Sequence, residues 1–275
     1  MIRASNEVAI IGGGLAGLSC AIALEDRGIN YKLFEASDRL GGRVHTYQRK
    51  KLTVDRGFQI LLPNYQICKK LLDYKALDLC YYPNGANLLT IDGPEWFGKP
   101  FSYPKKFQHG RKLTPHLSDY ICLAKDVFLG FKRPTKIALE NQTYLQNFYS
   151  KEFQEKFLLP FFRGIFLNLD WNQIFHRFLY FLICFFLEGG AVPKKGMQEI
   201  PNQLASKLNP KNIELNTRIT QIKDNTIYIK NQPHRFDQIV MATDMSSYYK
   251  LMNQPEPENG WNQEYNYIFA SKEPT

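Results

Sequence analysis

The sequence predicts an α/β fold, in which a parallel sheet with helices and a small β-meander is interrupted by a mainly helical segment. Three observations predict it. Residues 8–35 have the pattern of a strand, a glycine turn, a helix and a second strand. Residues 115–188 carry helical periodicity with many aromatic side chains, and residues 200–242 return to short strands and a helix. With 275 residues, 44% of them hydrophobic, the chain is long enough to bury a core.

The change of pattern along the chain divides it into four segments. We expect residues 1–65 to be the first segment of the sheet domain and residues 191–250 to be its second. Residues 66–190 form the largely helical insert. Residues 251–275 begin a further segment of the insert's domain, which is cut short.

The first strand, helix and second strand are predicted from apolar spacing. An apolar, β-branched run at 8–11 ends at Gly12, which favours a buried strand followed by a tight turn. From residue 15 the apolar side chains have helical spacing up to Gly28, a typical helix stop. Residues 31–35 then form the second strand, so the unit has the size of a βαβ motif.

The middle of the chain alternates turn signals with short apolar runs before it becomes helical. Residues 52–92 indicate strands and a hairpin around a helix at 65–74. Helices are expected at 117–131, 143–148, 150–157 and 171–187, with breaks at Pro134 and Pro160. The later elements are a helix at 200–208 and strands at 213–215, 219–222, 226–229 and 238–242, with one more strand from 265 to 270.

The turn after the first strand matches the pattern GxGxxG through Gly12, Gly14 and Gly17, with Leu15 and Ala16 between the last two. Gly12 permits the tight turn, Gly14 lets the backbone approach a pyrophosphate, and Gly17 lets the helix pack close to the strand. The phosphates would lie at the helix N-terminus, where free N–H groups favour an anion. The pattern predicts a Rossmann-type dinucleotide site, against the alternative of a structural glycine turn.

Glu35 strengthens this interpretation because it ends the second strand. A carboxylate at this position can accept hydrogen bonds from both ribose hydroxyls and would repel a 2′-phosphate. The site therefore favours FAD or NAD over NADP.

The residues after Glu35 distinguish FAD from NAD. Residues 36–43, Ala-Ser-Asp-Arg-Leu-Gly-Gly-Arg, resemble the E-x-x-x-R-x-GGR segment of flavin amine oxidases, protoporphyrinogen oxidases and carotenoid desaturases. The resemblance implies FAD as cofactor, with Ala36, Arg39, Gly42 and Arg43 among the residues that bind it. A second glycine loop offers N–H donors, and Arg43 offers a forked cation to a pyrophosphate. The alternative is a plain turn with a surface charge.

Three later blocks resemble the same superfamily. Residues 55–59 are similar to its D-x-G segment, which implies that Gly57 and Phe58 lie near the flavin ring. Residues 196–205 resemble a G-M-x-x-I helix that returns the chain to the FAD domain, with a structural role. The resemblance implies that the backbone of Ile219 pairs with the adenine, and that residues 240–244 end a strand near the dinucleotide.

By this resemblance the chain is expected to be an FAD-dependent oxidoreductase, either a dehydrogenase, a desaturase or an oxidase. It would move a hydride from a small apolar substrate, an isoprenoid or an amine, to flavin. Because members of the superfamily extend well beyond residue 275, two alternatives stay open: an inactive, truncated fragment, or a chain completed by a partner chain or by a homo-oligomer. An NAD-dependent dehydrogenase is the less favoured reading. The sequence assigns no catalytic side chain.

Composition limits the other partners. The net charge of +9 is spread without a block of five like charges and without a nucleic-acid signature, so nucleic acid is not an expected partner. The five single cysteines and five single histidines form no metal pattern. The apolar run at 178–187 is too short to span a bilayer, although contact with a membrane surface stays open. The N-terminal residues lack a signal pattern, which predicts a cytoplasmic location.

Overall fold

A computed structural model describes residues 7–49, 52–57, 59–82, 85–90, 93–98, 118–119, 121–122, 124–125, 149–167, 180–181, 184–185, 188–257, 265 and 267–269. The chain divides into two compact units. The first comprises residues 1–60, 69–80 and 192–261, and the second comprises residues 61–68, 81–191 and 262–275.

The described elements alternate between strands and helices. The strands are β1 (Glu7–Ile11), β2 (Asn30–Phe34), β3 (Thr46–Arg49), β4 (Leu52–Asp55), β5 (Leu79–Tyr81), β6 (Gly85–Thr90), β7 (Gly93–Gly98), β8 (Ala191–Pro193), β9 (Ile213–Glu214), β10 (Ile219–Lys223), β11 (Thr226–Ile229), β12 (Gln232–Arg235) and β13 (Gln238–Met241). The helices are α1 (Leu15–Glu25), α2 (Gln66–Leu71), α3 (Lys151–Phe153), α4 (Leu159–Phe166), α5 (Glu199–Ala205) and α6 (Met245–Leu251). A π-helical turn at Gln154–Leu158 joins α3 to α4, and a 3-10 turn at Pro210–Asn212 precedes β9.

A four-stranded parallel sheet forms the core of the first unit, in the order β13-β1-β2-β9. β1 pairs in parallel with β2 on one side and with β13 on the other. Ala9 and Ile10 of this strand are fully buried, as expected for the centre of a parallel sheet that is covered on both faces. The predicted α/β fold with a parallel sheet is therefore confirmed.

The meander of the first unit consists of β10, β11 and β12, which pair as an antiparallel sheet. Ile219, Ile222 and Ile227 from this meander share one hydrophobic cluster with Ala9 and Phe34 of the parallel sheet. The sequence predicted β10 and β11 but not β12, because all four residues of β12 are exposed and give no apolar alternation.

The first unit also contains β3 and β4, which pair antiparallel from Thr46 opposite Asp55 to Arg49 opposite Leu52. β3 was not predicted, because three of its four residues are exposed. The helix expected at 65–74 is shorter, at Gln66–Leu71, and the helix expected at 200–208 is observed at Glu199–Ala205.

In the second unit the chain is helical from Lys151 to Phe166, so the predicted break at Pro160 is wrong. Pro160 lies in the first turn of α4, where a residue without an N–H is tolerated, directly after the π-helical turn. Along this run Phe153 and Phe157 stack at 5.4 Å between ring centroids, and both are buried. These two rings are core residues.

The other expectations for the insert are met in part. The described residues between 118 and 125 and between 180 and 188 are helical, while the helix expected at 143–148 and the break at Pro134 lie outside the described residues. The strand expected at 265–270 is wrong for its four described residues, which are exposed and not in a strand. Alternating aromatic residues favour a strand, but a strand needs a neighbour with which to pair. Within the described residues, no helix is long and apolar enough to cross a membrane.

Candidate cofactor site

The glycine loop between β1 and α1 is packed at two of its three motif positions. Gly12 has φ +111°, and a Cβ atom there would lie 2.7 Å from the carbonyl oxygen of Ala242, just after β13. A Cβ atom on Gly17 would lie 1.9 Å from the carbonyl oxygen of Gly12. Both positions therefore require glycine for the close approach of α1 to the ends of β1 and β13.

The third motif position, Gly14, is open. Among the described residues, a Cβ atom at Gly14 would meet nothing within 4 Å. Gly14 is also the N-cap of α1, and among the described residues no side chain caps this helix end. Leu15 and Ala16 of the first turn are exposed. The N-terminus of an 11-residue helix thus presents backbone N–H groups beside open space, an arrangement that suits a pyrophosphate.

Glu35 follows β2 and lies beside the glycine loop. Its Oε2 accepts a hydrogen bond from the N–H of Gly13 at 2.7 Å. Its Oε1 accepts from the N–H of Ser37 at 2.8 Å and from the Ser37 hydroxyl at 2.7 Å. Because a carboxylate has about four lone-pair sites, Glu35 is held in place and can still accept from a ribose hydroxyl.

The second glycine loop packs against the first. Gly41 donates its N–H to the carbonyl oxygen of Gly13 at 2.8 Å and forms a parallel bridge with Gly14. Gly42 has φ +59°, and a Cβ atom there would lie 3.2 Å from the Cα atom of Gly14. The Arg39 guanidinium approaches the Gly42 carbonyl oxygen at 3.5 Å. The GGR loop therefore lies directly beside Gly14 at the N-terminus of α1.

Arg43 is exposed, and its charge acts on Asp244. Asp244 is the N-cap of α6 and accepts the N–H of Ser247 at 2.9 Å. This hydrogen bond is the main cause that lowers the pKa of Asp244, and the positive charge of Arg43 adds to the lowering. The end of β13 therefore has a fixed carboxylate within electrostatic reach of the GGR loop.

The D-x-G and G-M-Q segments meet at Asp55. Its Oδ1 accepts hydrogen bonds from the Thr46 hydroxyl and from the N–H of Met197 at 2.9 Å. The Thr46 hydroxyl in turn accepts from the N–H of Gln198 at 2.9 Å. A Cβ atom on Gly196 would lie 2.4 Å from the Thr46 side chain, so the G-M-Q segment also packs directly against β3. This supports the structural role expected for residues 196–205.

The remaining predicted residues lie as follows. Gly57 has φ +76°, and a Cβ atom there would meet none of the described residues within 4 Å, whereas Phe58 itself lies outside them. Ala36 is exposed beside Glu35. The side chain of Ile219 is buried in the core, and the chain just before it is anchored by a hydrogen bond from the N–H of Thr217 to the Glu35 carbonyl oxygen at 2.8 Å.

Sequence reasoning missed four polar residues that shape the site: Thr46, Gln59, Gln198 and Asp244. Gln59 donates its side-chain N–H to the carbonyl oxygens of Arg43 and Arg56, at 2.9 and 2.8 Å. Only Asp244 has a local signal, because an Asp before an apolar helical run is a typical N-cap. The others act through contacts between distant segments.

The arrangement fits FAD on three grounds: the vacant space at Gly14 and Gly57, the uncapped end of α1 and the fixed carboxylate of Glu35. Glycines without a Cβ leave room for a cofactor against the backbone. Among the residues that the structure describes, no group of three His, Cys, Asp or Glu could hold a metal ion.

Comparison with known families gives one match that spans most of the chain. The model described as "Flavin containing amine oxidoreductase" matches residues 15–265.

Curated relatives share short stretches with the chain. The L-amino-acid oxidase of Siganus canaliculatus is 48% identical over 50 residues, which is 18% of this chain and 10% of the relative. The hydroxysqualene dehydroxylase of Zymomonas mobilis is 45% identical over 65 residues, which is 23% of this chain and 16% of the relative.

Solved structures share the fold over a longer span. A triple variant of putrescine oxidase superposes with a TM-score of 0.62 at 18% identity, over 92% of this chain and 61% of the other. An oxidoreductase from Methanosarcina mazei has a TM-score of 0.62 at 18% identity, over 90% of this chain and 61% of the other. The chain thus spans about three fifths of the length of these solved relatives.

Proposed function

The chain belongs to the family of flavin containing amine oxidoreductases, whose cofactor is FAD, and on that premise we propose that it is an FAD-dependent oxidoreductase. The observation that carries the proposal is the contact of two glycine loops at the uncapped N-terminus of α1, bordered by Glu35. Backbone donors and a fixed carboxylate lie together at this contact, which supports binding of a pyrophosphate and a ribose there.

Each part of the cofactor has a proposed set of residues. The N–H groups at the start of α1 and the guanidinium of Arg43 hold the pyrophosphate. Glu35 accepts from one ribose hydroxyl, with Ala36 next to it. The backbone of Ile219 faces the adenine. Gly57, with open space at its Cα, lies against the flavin ring together with Phe58.

FAD, when bound, supplies the acceptor for a hydride, so the substrate leaves with a new double bond after it also loses a proton. The chain's own residues bind and orient the cofactor and set the charge around it. Arg43 contributes a positive charge that counters the pyrophosphate, and the neighbouring carboxylate of Asp244 is itself tied to Ser247. We assign no catalytic side chain.

For the substrate we propose a small apolar molecule, either an amine or an isoprenoid. Relatives named putrescine oxidase and L-amino-acid oxidase support the amine, and the relative named hydroxysqualene dehydroxylase supports the isoprenoid. Half-buried aromatic rings in the second unit also suit an apolar substrate: Phe161, Phe181 and Phe185 lie within 6.3 Å of one another between ring centroids.

Anaerobic reduction of the bound flavin tests this function. The purified chain would be loaded with FAD and mixed with putrescine or an L-amino acid while the flavin absorbance is recorded. In a separate arm the flavin is first reduced with dithionite and then mixed with hydroxysqualene, because removal of a hydroxyl group consumes a hydride. Bleaching of oxidised flavin by an amine, or reoxidation of reduced flavin by hydroxysqualene, supports an oxidoreductase and identifies the substrate class. Flavin that binds and changes its redox state with none of the three contradicts turnover by this chain.

That last outcome would support a second candidate, a chain that binds FAD without catalysing a reaction. The observation in its favour is partial coverage, because the matched stretches are 10–16% of the curated relatives above and the superposed chain covers 61% of the solved ones. We further propose that a partner chain or a second copy completes the active site, that the protein contacts a membrane surface and that its location is cytoplasmic.

A further inference from the structure

The side chain of Gln198 bridges the two ends of the GGR loop. Its Nε2 donates a hydrogen bond to the carbonyl oxygen of Leu40 at 3.1 Å, just before Gly41. Its Oε1 lies 2.9 Å from Nδ1 of His45, two residues after Arg43. One amide therefore contacts the loop on both sides of its glycines and its arginine.

The partners of Gln198 determine how its amide is oriented. The Leu40 carbonyl can only accept a hydrogen bond, so the amide nitrogen must face it and the amide oxygen must face His45. A second acceptor, Oδ1 of Asn202, lies 3.2 Å from the same nitrogen and favours the same orientation. This orientation requires the His45 tautomer with a hydrogen on Nδ1, which donates a hydrogen bond to Oε1 of Gln198.

The backbone around Gln198 is also fixed, because its N–H donates to Thr46 and the neighbouring N–H of Met197 donates to Asp55. The amide is thus presented from an anchored position at the N-terminus of α5. Because the Gln198 backbone is already fixed, its side chain can restrain the loop without losing much further entropy when FAD binds.

The loop needs such a restraint because two of its residues have positive φ angles. Gly41 and Gly42 have φ of +114° and +59°, and two adjacent glycines give a free loop many other conformations. A loop that must become ordered on binding loses affinity for its ligand, whereas a pre-organised loop does not.

We propose that Gln198 is a positioning residue, which holds residues 40–45 in the conformation in which Gly42 and Arg43 bind FAD. The proposal rests on the proposed function, because it takes FAD as the ligand of the loop. Gln198 acts through Leu40 and His45, and it need not touch the cofactor itself.

Gln203 provides a matched control on the same helix. Its amide likewise makes two hydrogen bonds to a distant segment, in this case accepting from the N–H of Asp73 at 2.9 Å and donating to the carbonyl oxygen of Asp73 at 3.0 Å. Gln203→Leu therefore removes two comparable hydrogen bonds without touching the GGR loop.

The experiment compares the wild-type chain with Gln198→Leu and Gln203→Leu. FAD is titrated into each chain to measure Kd, and amide hydrogen exchange of residues 40–45 is followed without FAD. We expect Gln198→Leu to weaken FAD binding by roughly tenfold and to speed exchange in the loop, because two restraining hydrogen bonds are lost. Gln203→Leu should leave both quantities unchanged.

Gln198→Glu serves as a second variant and replaces the leucine variant if that chain does not fold. A carboxylate keeps the acceptor for His45 but has no proton to donate to Leu40, and it adds a negative charge near the loop that would bind the pyrophosphate, so we expect FAD affinity to fall at least as far as in Gln198→Leu. If the wild-type chain binds FAD and both Gln198 variants bind it equally well, the positioning role is wrong and the proposed function stands. If the wild-type chain does not bind FAD, both are wrong.

Discussion

Gly17 faces the carbonyl oxygen of Gly12 so closely that a Cβ atom on Gly17 would lie 1.9 Å from it. This distance is far below van der Waals contact, and the obstacle is backbone, which cannot rotate away as a side chain can. Gly17 is buried in the first turn of α1, where the helix rests on the end of β1. The contact fixes where the helix N-terminus points, and so where the backbone donors of the site lie.

Substitution of Gly17 by alanine should therefore destabilise the fold. We expect Gly17→Ala to lower the free energy of unfolding by about 1–3 kcal/mol, the usual cost of overpacking, or more if the helix shifts. Urea denaturation of the FAD-free chain measures this loss.

The matched control is Gly164→Ala in α4, where a Cβ atom meets none of the described residues within 4 Å. The control should raise stability by about 0.5–1 kcal/mol, because alanine favours a helix. A Gly17→Ala chain as stable as wild type would contradict the close packing.

Gly14→Ala should affect the cofactor rather than the fold. Gly14 has φ −75° and ψ −177°, which alanine adopts without strain, and its Cβ atom would enter vacant space. We expect an unchanged melting temperature without FAD and a weaker affinity for FAD, measured by titration, because the methyl group occupies the space of the pyrophosphate.

Gly28→Ala, in the same βαβ unit, should affect the stability of the fold rather than the binding of FAD. Gly28 has φ +65°, so alanine there costs about 1–2 kcal/mol in backbone strain. We expect a lower melting temperature and an unchanged FAD affinity for the folded chain. Equal effects of the two substitutions on affinity would argue against a pyrophosphate site at Gly14.

Glu35→Gln should reduce both stability and affinity for FAD. The carboxylate accepts from the N–H of Gly13 and from Ser37, and an amide can replace only part of this acceptor set. We expect a loss of about 1–3 kcal/mol in unfolding free energy, since partly buried donors lose their partner. Glu214→Gln, which removes an exposed ion pair with Lys32, should cost at most about 1 kcal/mol and leave Kd for FAD unchanged. Calorimetric titration with FAD measures Kd for both variants and shows which of the two carboxylates contributes to FAD binding.

Asp244 should contribute stability that depends on pH. Its pKa is lowered in the folded chain, so its ionised form stabilises the fold at neutral pH, and this contribution is lost as pH falls through the lowered pKa. Asp244→Asn keeps an N-cap but has no charge, and we expect it to be less stable than wild type by about 0.3–1 kcal/mol at neutral pH. The difference should vanish in strong acid, whereas an undiminished difference would exclude the charge as its cause. Asp38→Asn, at an exposed position, is the control for net charge.

Local signals account for the parts of the molecule that the sequence predicts well. The apolar run of β1, the spacing of Gly12, Gly14 and Gly17 and the acidic residue after β2 all lie within one βαβ unit. Steric rules for glycine and the periodicity of apolar residues act over a few positions, so such a unit can be predicted without knowledge of the rest of the chain.

Contacts between distant segments could not be predicted in the same way. Met197 and Asp55 are 142 positions apart, and Gln198 and Thr46 are 152 apart, yet these pairs join the G-M-Q segment to β4 and β3. No periodicity marks a polar residue whose partner lies so far along the chain. Pro160 is a related case. Proline breaks the interior of a helix but is tolerated in its first turn, and the sequence does not show that Pro160 lies in a first turn.

The central claim, that this chain binds FAD at the two glycine loops, is tested most directly by ligand-dependent melting. A ligand that binds only the folded chain stabilises it by about 2.7 kcal/mol at roughly 100 times its Kd. FAD should therefore raise the melting temperature of the wild-type chain, and it should do so less for Gly14→Ala at the same concentration, while NADH should have no effect. A rise with NADH and none with FAD would contradict the account.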